Sequence, residues 1–348
     1  MAAQRDRITT LKLHWLIFTL LIHFSIRGRT KIRLKGKHVI VTGGLGFIGS
    51  HLVEKLVEDN DVAIIDNQST GKLENVAHLV SENLKIIEGD IQTLNLAAIF
   101  EDYEYVFHEA ALPSVPRSVK DPLASHEANI TGTLRVLIAA KDAGIQKVVY
   151  ASSSSVYGDT AELPKREDMP VNPLSPYAVT KVAGEFYCKV FHEIYGLPTI
   201  TLRYFNVFGP RQDPLSQYAA AIPKFITATL NYSSPIIYGD GQQSRDFTFV
   251  KHVVDANVLA CESEETGTFN VACGRSISIN ELAALIGEIT GKTVEAQHAA
   301  PRPGDIKHSL ADISKARSFG YEPKSNFKDE LEATLRWFEN GSRAGNQG

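Results

Sequence analysis

The most constraining feature of this sequence is a glycine-rich loop between a short apolar run and an amphipathic one. The run His38–Thr42 predicts a buried strand, Gly43–Gly49 (G-G-L-G-F-I-G) follows at once, and apolar periodicity then predicts a helix to about Val57. Glycines at such a point let the chain turn tightly and bring backbone N–H groups and a helix N-terminus against a pyrophosphate. The loop therefore predicts a dinucleotide-binding β-α-β unit.

The next strand indicates which dinucleotide is bound. Asp61–Asp66 is apolar and ends in an acid. A carboxylate there accepts hydrogen bonds from the adenosine ribose hydroxyls and repels a 2′-phosphate, which favours NAD over NADP. Taken alone, Asp66 could also be a turn-forming acid ahead of Asn67.

The remaining strands predict the fold class. Further apolar runs at Lys85–Ile87, Tyr105–His108, Lys147–Tyr150 and Pro198–Tyr204 alternate with helical stretches. This alternation predicts an α/β fold with a doubly wound, Rossmann-like parallel sheet.

Composition excludes some classes of protein. The 348 residues carry a net charge of −4, which argues against a nucleic-acid partner. The three cysteines (Cys188, Cys261 and Cys273) show no C-x-x-C spacing, so we expect reduced thiols, no metal site and a cytoplasmic protein.

The N-terminal segment 1–35 is unlike the rest. Leu13–Ile26 is apolar and flanked by basic residues, but it is short for a membrane span and no A-x-A-like cleavage site follows. Three interpretations stay open: a non-native or mis-assigned start, a peripheral anchor, or a disordered tail. None of them gives a firm membrane partner.

A candidate catalytic pair lies in Ser175–Lys181 (S-P-Y-A-V-T-K). Ser175 suits an N-cap and Pro176 the first helical position, so Tyr177 and Lys181 fall on one helix face. A phenol is a poor base at neutral pH, but a neighbouring ammonium and a nicotinamide cation would lower its pKa. We therefore expect Tyr177 to act as the base and Lys181 to assist it.

With these motifs in order, residues 37 to about 340 resemble an extended short-chain dehydrogenase/reductase of the nucleotide-sugar epimerase/dehydratase kind. The resemblance is carried by motifs that occur in the family's order: T-G-G-L-G-F-I-G, D-N-Q-S-T-G, G-D-I, H-E-A-A, N-I-T-G-T, S-S-S-S-V-Y-G, Y-A-V-T-K and L-R-Y-F-N-V-F-G-P. It implies two domains: an NAD-binding domain (36–205 with about 247–271) and a smaller mixed α/β domain for the nucleotide sugar (about 206–246 with 272–340). Residues 341–348 form a tail.

The resemblance also implies which residues hold the cofactor. Asn129 is further expected to hold its long helix near the nicotinamide site. The implied NAD-binding residues are Gly43, Gly46, Phe47, Ile48, Gly49, Asp66, Asn67, Gly71, Asp90, Ile91, Ala110, Ala111, Asn129, Tyr177, Lys181 and Tyr204.

The serine run after Tyr150 indicates the reaction. The family's hydroxyl that polarises the sugar corresponds to Ser153, and it can relay a proton between O4 and the phenolate. The family's dehydratases carry an Asp-Glu pair directly afterwards and its decarboxylases a Glu, where this chain has Ser154 and Ser155. This favours oxidation at C4 followed by re-reduction, which is epimerisation. Ser152 and Ser155 are interpreted as polar strand-end residues that cap or turn the chain.

The substrate-binding residues are likewise implied by the resemblance. The arginines suit bidentate phosphate contacts, and Tyr238 and Asp305 match residues near the uracil and its ribose. The expected set is Ser114, Ser153, Ser154, Asn206, Gln212, Ala220, Tyr238, Arg245, Arg302, Asp305 and Ser309.

The preferred sugar follows from Ser309. Family members restricted to UDP-glucose and UDP-galactose place a tyrosine there, so a serine, together with Ala220, predicts room for an N-acetyl group and interconversion of UDP-GlcNAc and UDP-GalNAc. Pro113, where N-acetyl-preferring relatives have glycine, leaves activity on UDP-glucose expected as well.

Several alternatives remain. The chain could be an epimerase restricted to plain hexoses, a dehydratase, decarboxylase or net dehydrogenase on the same scaffold, or a non-catalytic NAD-binding sensor. Relatives commonly dimerise through the helices matching 117–143 and 175–195, so a homodimer is expected.

Overall fold

The computed structural model describes residues 33–79, 81–213, 221–292, 294–301 and 306–345, and from Leu34 onward they belong to one compact unit. The apolar stretch Leu13–Ile26 lies outside the described residues, so its interpretations stay predictions. Within the described ranges, no helix is both long enough and apolar enough to cross a membrane.

The strands and helices alternate along the first two thirds of the chain. The strands are β1 (His38–Thr42), β2 (Asp61–Asp66), β3 (Leu84–Glu88), β4 (Tyr105–His108), β5 (Lys147–Ser153), β6 (Thr199–Tyr204), β7 (Val207–Phe208), β8 (Ile236–Tyr238), β9 (Ser244–Arg245), β10 (Thr248–Phe249), β11 (Gly267–Val271), β12 (Ile277–Ser278) and β13 (Gln297–Ala299). The α-helices are α1 (Phe47–Leu56), α2 (Leu96–Phe100), α3 (Val115–Lys120), α4 (Pro122–His126), α5 (Gly132–Asp142), α6 (Pro176–Tyr195), α7 (Ala221–Leu230), α8 (Val250–Glu262), α9 (Ile279–Thr290) and α10 (Phe327–Gly345).

A seven-stranded sheet in the order β3-β2-β1-β4-β5-β6-β11 organises the fold, and all its neighbouring strands are parallel. The predicted doubly wound parallel sheet is confirmed. From β1 the chain forms β2 and then β3 on one side of β1, and from β3 it crosses over to β4 on the other side of β1. The carboxyl ends of β1 and β4 therefore flank the topological switch point, where ligands bind in open α/β sheets.

The predicted strand at Lys147–Tyr150 is longer than expected. β5 runs on to Ser153, because Ala151, Ser152 and Ser153 continue the pairing with β6 as far as Tyr204. Ser152 and Ser153 are thus strand residues. A short 3₁₀ helix, Ser154–Tyr157, follows directly.

The predicted start of the helix at Ser175 is confirmed by its cap, and the start of α9 is capped as well. The Ser175 Oγ accepts a hydrogen bond from the Ala178 N–H, Pro176 is the first residue of α6, and a left-handed glycine, Gly196, follows the helix end. Ser278 and Glu281 form the reciprocal capping box of α9.

Among the described residues, two large apolar clusters form most of the interior. One packs between the sheet and the helices beside it and includes Ile40, Val106 and Leu137. The other joins α7, α9 and α10 around Phe208 and Leu282. The second cluster supports the elements that carry the expected substrate residues.

Candidate active site

The glycine loop follows the carboxyl end of β1, and two of its glycines are required by close approach. Gly43 has φ +71°, and a Cβ there would lie 2.7 Å from the Ala110 nitrogen. A Cβ on Gly49 would lie 2.1 Å from the Gly43 carbonyl oxygen. Gly46 caps α1 without a side-chain hydrogen bond, which leaves the helix start at Phe47 and Ile48 open to an anion. The loop has the shape of a phosphate cradle.

Asp66 ends β2 beside this loop. Its Oδ2 accepts a hydrogen bond from the Leu45 N–H at 3.0 Å and its Oδ1 one from the Gln68 N–H at 2.8 Å. Burial raises the pKa of Asp66, and these two hydrogen bonds oppose that rise. A Cβ on Gly71 would lie 2.9 Å from Oδ2, so the glycine brings the chain close to the carboxylate. Each oxygen keeps lone pairs for a further donor, such as a ribose hydroxyl.

The other expected cofactor residues surround the same edge of the sheet. The Asn67 Nδ2 donates to Asp90 Oδ2 at 2.8 Å. Ile91 is buried, and Ala110 and Ala111 follow β4, where the Ala110 N–H donates to Thr42 Oγ1 at 3.3 Å. The structure therefore brings these residues together.

Asn129 lies in a π-helical turn (Glu127–Thr131) and its side chain is engaged by protein groups. Its Oδ1 accepts from the Leu112 N–H at 2.7 Å, and its Nδ2 donates to Thr180 Oγ1 at 3.0 Å and to Leu112 O at 3.3 Å. Asn129 thus ties the segment after β4 to α6. This geometry fits a positioning role better than direct contact with a cofactor.

A buried hydrogen-bond chain fixes the end of β4. Burial lowers the pKa of His108 to about 3, so the ring is neutral. Its Nε2 lies 2.9 Å from Thr133 Oγ1, which donates to Asn129 O at 2.6 Å, and its Nδ1 lies 2.7 Å from Thr42 Oγ1. Because the Thr133 hydroxyl proton is used in the bond to Asn129 O, the His108 Nε2–H donates to Thr133 Oγ1, and Nδ1 accepts from the Thr42 hydroxyl. This network holds the loop that follows β4 rigidly.

Tyr177, Lys181 and Ser153 meet at the carboxyl ends of β5 and β6. The Lys181 Nζ lies 6.0 Å from the centre of the Tyr177 ring, which confirms that both lie on one face of α6. Nζ donates to the Ala151 carbonyl at 2.7 Å, and the Ser153 side chain is close enough to the Tyr177 phenol to act on its pKa. A base, a cation and a hydroxyl relay are therefore adjacent.

The protonation of this cluster differs from expectation. Burial raises the pKa of Tyr177 to about 12, although the hydrogen bond to Ser153 opposes the rise. Burial also lowers the pKa of Lys181 to about 8, so the ammonium survives at neutral pH.

The other serines of the run have structural contacts. The Ser152 Oγ donates to Glu185 Oε1 at 2.5 Å, and Glu185 also receives a bidentate pair of hydrogen bonds from Arg203. The interpretation of Ser152 as a capping residue is therefore wrong, because it lies inside β5 and fixes a buried ion pair. The Ser155 N–H donates to Ser153 Oγ at 3.2 Å, so Ser153 caps the short 3₁₀ helix that Ser154 begins.

A cavity of about 270 Å³ lies among the elements after β6. Three expected substrate residues line it: Asn206, Tyr238 and Arg245. Asn206 has φ +35° and donates from Nδ2 to Asp246 O at 3.1 Å. The Arg245 Nη1 donates to the carbonyls of Ser244 and Lys307 at 2.9 and 3.2 Å. Most of the lining side chains are apolar and two, Lys224 and Arg245, are cationic, which suits a base attached to a diphosphate.

The remaining expected substrate residues fall in three groups. Ser309 is tied to this site, since its Oγ lies 3.5 Å from Asn206 Nδ2 and its N–H donates to Ser244 O. Ser114 caps α3, and Gln212 donates from Nε2 to Val207 O at 3.1 Å, so both side chains stabilise the local backbone conformation. Ala220, Arg302 and Asp305 lie outside the described residues.

Sequence reasoning missed two side chains at this site. Glu109 accepts a hydrogen bond from the Tyr204 hydroxyl at 2.7 Å, close to Lys181. Its position directly after β4 could have indicated a site residue, because ligands bind at the carboxyl ends of such strands. Lys224 lines the cavity beside Arg245. The sequence indicated Lys224 as a site residue less clearly, because a lysine on a helix is usually exposed to solvent.

Comparison with known proteins places these features in context. Residues 40–334 match the family model described as GDP-mannose 4,6 dehydratase. The chain is 39% identical over 311 residues to the UDP-glucose 4-epimerase of Mycolicibacterium smegmatis, which covers 87% of this chain and 99% of that protein.

Two solved structures are similar over the same range. The UDP-N-acetylglucosamine 4-epimerase from Methanobrevibacter ruminantium M1, in complex with UDP-N-acetylmuramic acid, is 50% identical with a TM-score of 0.87, covering 88% of this chain and 99% of that one. The UDP-glucose 4-epimerase of Thermus thermophilus, in complex with NAD, is 36% identical with a TM-score of 0.80, covering 87% and 99%.

Proposed function

The chain belongs to the GDP-mannose 4,6-dehydratase family of extended short-chain dehydrogenases/reductases, and from that premise we propose that it is an NAD-dependent UDP-sugar 4-epimerase. One observation carries the proposal: Ser153, Tyr177 and Lys181 converge at the carboxyl edge of the sheet. In the proposed arrangement residues 36–205 with about 247–271 hold NAD. About 206–246 with 272–340 hold the nucleotide sugar.

The glycine loop and Asp66 support NAD as the cofactor. The positions of Gly43 and Gly49 admit no side chain, and the open start of α1 suits a pyrophosphate. Asp66 would accept the adenosine ribose hydroxyls and disfavour a 2′-phosphate. When bound, NAD would accept and return the C4 hydride; the protein's task is orientation and charge.

The residues of the cluster divide the proton transfer between them. Tyr177 takes the O4 proton through Ser153, whose hydroxyl donates and accepts. Because burial raises the pKa of Tyr177 to about 12, deprotonation requires nearby positive charge, which the Lys181 ammonium and a nicotinamide cation supply. Lys181 remains anchored on Ala151 O.

The serines at positions 154 and 155 favour epimerisation over elimination. They begin the 3₁₀ helix directly after Ser153, so the place of a dehydratase acid pair holds two hydroxyls. Without an acid there, the leaving hydroxyl of a dehydration has no proton donor from this segment. We therefore rank dehydratase and decarboxylase activity below epimerisation.

We further propose UDP-GlcNAc and UDP-GalNAc as the preferred pair, with UDP-glucose and UDP-galactose as additional substrates. Ser309 supports this because its small side chain lies against Asn206, at the edge of the proposed nucleotide-sugar cavity. The 50% identity to a UDP-N-acetylglucosamine 4-epimerase supports it independently. Arg245 and Lys224 supply the positive charge for the diphosphate.

A homodimer through α6 is proposed as well. Val179, Phe186, Val190 and Ile194 recur at helical spacing on α6 and are exposed, with Phe186 57% and Ile194 69% accessible. Helices α3, α4 and α5 pack against α6 and add exposed Val119, Leu123 and Ile138. A contiguous apolar face of this kind suits a second copy of the same helices.

The experiment that tests the proposed function uses protein purified without added NAD. Incubation with UDP-GlcNAc should yield UDP-GalNAc with no lasting near-ultraviolet absorbance of reduced nicotinamide. Denaturation of the same protein should release a cofactor that mass analysis identifies as NAD. NADP as the main species would contradict the role given to Asp66. A 4-keto-6-deoxy product would contradict epimerisation.

A further inference from the structure

We propose that Glu109 is a positioning residue of this active site, whose carboxylate supplies the negative charge that keeps Lys181 protonated. The inference rests on the proposed function, since that function gives Lys181 its role. The proton transfer described above leaves Glu109 without a part, although its carboxylate is hydrogen-bonded to Tyr204 and its charge acts on Lys181.

The sheet register brings Glu109 next to the anchor of Lys181. In the parallel pairing of β4 with β5, His108 is the partner of Tyr150. One residue further along each strand come Glu109 and Ala151, and the Ala151 carbonyl accepts the Lys181 Nζ hydrogen bond at 2.7 Å. The Glu109 N–H donates to Thr42 O at 3.1 Å, which fixes its backbone beside β1. Glu109 therefore stands at the switch point, beside the carbonyl that anchors Lys181.

A second hydrogen-bond chain holds the carboxylate from the opposite side. The Tyr204 hydroxyl, at the end of β6, donates to Glu109 Oε1 at 2.7 Å. The Asn257 Nδ2 of α8 donates to that same hydroxyl at 2.8 Å, and the contact from the hydroxyl to Glu109 at 2.7 Å is shorter than its contact to Asn257 Oδ1 at 3.1 Å. Tyr204 and Asn257 are both buried. The carboxylate is thus held in place by two strands and a helix.

Few of the described side chains near the Lys181 ammonium carry a charge that acts on it. Burial lowers the pKa of Lys181 to about 8, and the strongest opposing influence is the charge of Glu109, ahead of Cys188 and Glu185. Glu185 is already neutralised by its bidentate pairing with Arg203. His108 on the same strand is neutral, and Tyr177 is a neutral phenol at this pH. Burial raises the pKa of Glu109 to about 7, so its carboxylate is ionised at the more alkaline pH near which Lys181 loses its proton. Among the described groups that act on Lys181, Glu109 is therefore the acid that has no basic side chain paired with it by a hydrogen bond.

The test replaces the carboxylate by an isosteric amide. In E109Q the Lys181 ammonium should be lost at lower pH, so the alkaline limb of the kcat/KM profile should move down by about one pH unit. E109D, which keeps the charge, should retain the wild-type limb. Glu101→Gln, an exposed acid before β4, is the matched control and should change nothing. Glu109→Ala provides a second neutral variant if E109Q gives no folded protein.

A second measurement does not depend on catalysis. The affinity for NAD should fall with rising pH as Lys181 loses its proton, and in E109Q this fall should begin about one pH unit lower. The inference would be overturned if E109Q kept both the wild-type alkaline limb of kcat/KM and the wild-type pH dependence of NAD affinity. It would also be overturned if the alkaline limb of E109D moved as far as that of E109Q. If wild-type protein binds NAD but epimerises no UDP-sugar, the proposed function fails, while the NAD series still tests Glu109.

Discussion

The hydroxyl of Ser153 is shared between structure and chemistry. Its Oγ accepts a hydrogen bond from the Ser155 N–H at the start of the 3₁₀ helix, and it is close enough to the Tyr177 phenol to act on the pKa of that group. A hydroxyl can do both because it has one donor and two acceptor sites. The chain turn that fixes Ser153 therefore also aims it at the tyrosine.

Tyr177→Phe tests the base at this point. The variant keeps the ring, so the protein should fold and retain NAD, but turnover should fall by about 10³-fold because the proton acceptor is gone. Tyr187→Phe, on the same helix but packed against the core, is the matched control and should keep its turnover. Turnover of Tyr177→Phe within tenfold of wild type would remove the phenol from the proposed role.

Ser309→Tyr tests the choice of sugar. A phenol ring beside Asn206 should fill the space proposed for the acetamido group, so turnover of UDP-GlcNAc should fall by at least tenfold while UDP-glucose is spared. Steady-state kinetics on both substrates checks this. Equal losses on both would show that Ser309 does not select the sugar.

The sequence predicted the roles of single residues best where local spacing determines position. Tyr177 and Lys181 are one helical turn apart, so their meeting follows from the helix alone. Glu109 meets Tyr204 only through the order of β4, β5 and β6 in the sheet, and no local pattern contains that order. Ser152 was misread because its partner, Glu185, lies on another element.

Among the elements, the segment after β7 links the two halves of the proposed site. Arg211 has φ +66° and forms an ion pair with Glu54 of α1, which His78 also contacts at 3.3 Å. The His51 Nε2 donates to Pro210 O at 3.0 Å. The segment therefore fastens onto the helix whose start faces the proposed pyrophosphate site.

Glu54→Gln should loosen this fastening. We expect NAD to leave the protein roughly two- to fivefold faster, since a partly exposed ion pair contributes at most about 1 kcal/mol. Lys55→Gln is the matched control: Lys55 lies on the same helix, its exposed 2.6 Å pair is with Glu58 beyond the helix end, and its loss should not change the release rate. Dilution of NAD-loaded protein into a scavenger of free NAD measures both. Equal release from wild type and Glu54→Gln would show that the ion pair does not retain the cofactor.

At the scale of the whole molecule, the parallel sheet was predictable and the cavity was not. Strand and helix periodicities are local, and each βα unit adds its strand by the same right-handed crossover. The cavity collects Asn206, Tyr238 and Arg245 from separate loops, which only the packing of α7 and α9 brings together. The family resemblance, not the periodicity, supplied those residues.

The proposed dimer gives a whole-molecule prediction. Phe186→Asp places a charge in the exposed apolar face of α6, so sedimentation should show monomers at concentrations where wild type is dimeric. Tyr232→Asp is the control, since Tyr232 is an even more exposed aromatic residue but lies beyond α7. A wild-type monomer, or a Phe186→Asp dimer of unchanged stability, would contradict the proposed interface.

The central claim, that this active site inverts C4 of a UDP-sugar by removing and returning the same hydride, is tested most directly by proton NMR in deuterated water. Protein purified without added NAD is mixed with UDP-GlcNAc, and the C4 proton of the product is observed. Because the hydride never exchanges with solvent, the account predicts UDP-GalNAc with full protium at C4 and no deuterium at C5. Deuterium in the product, loss of water from the sugar, or an accumulating 4-keto sugar would contradict it.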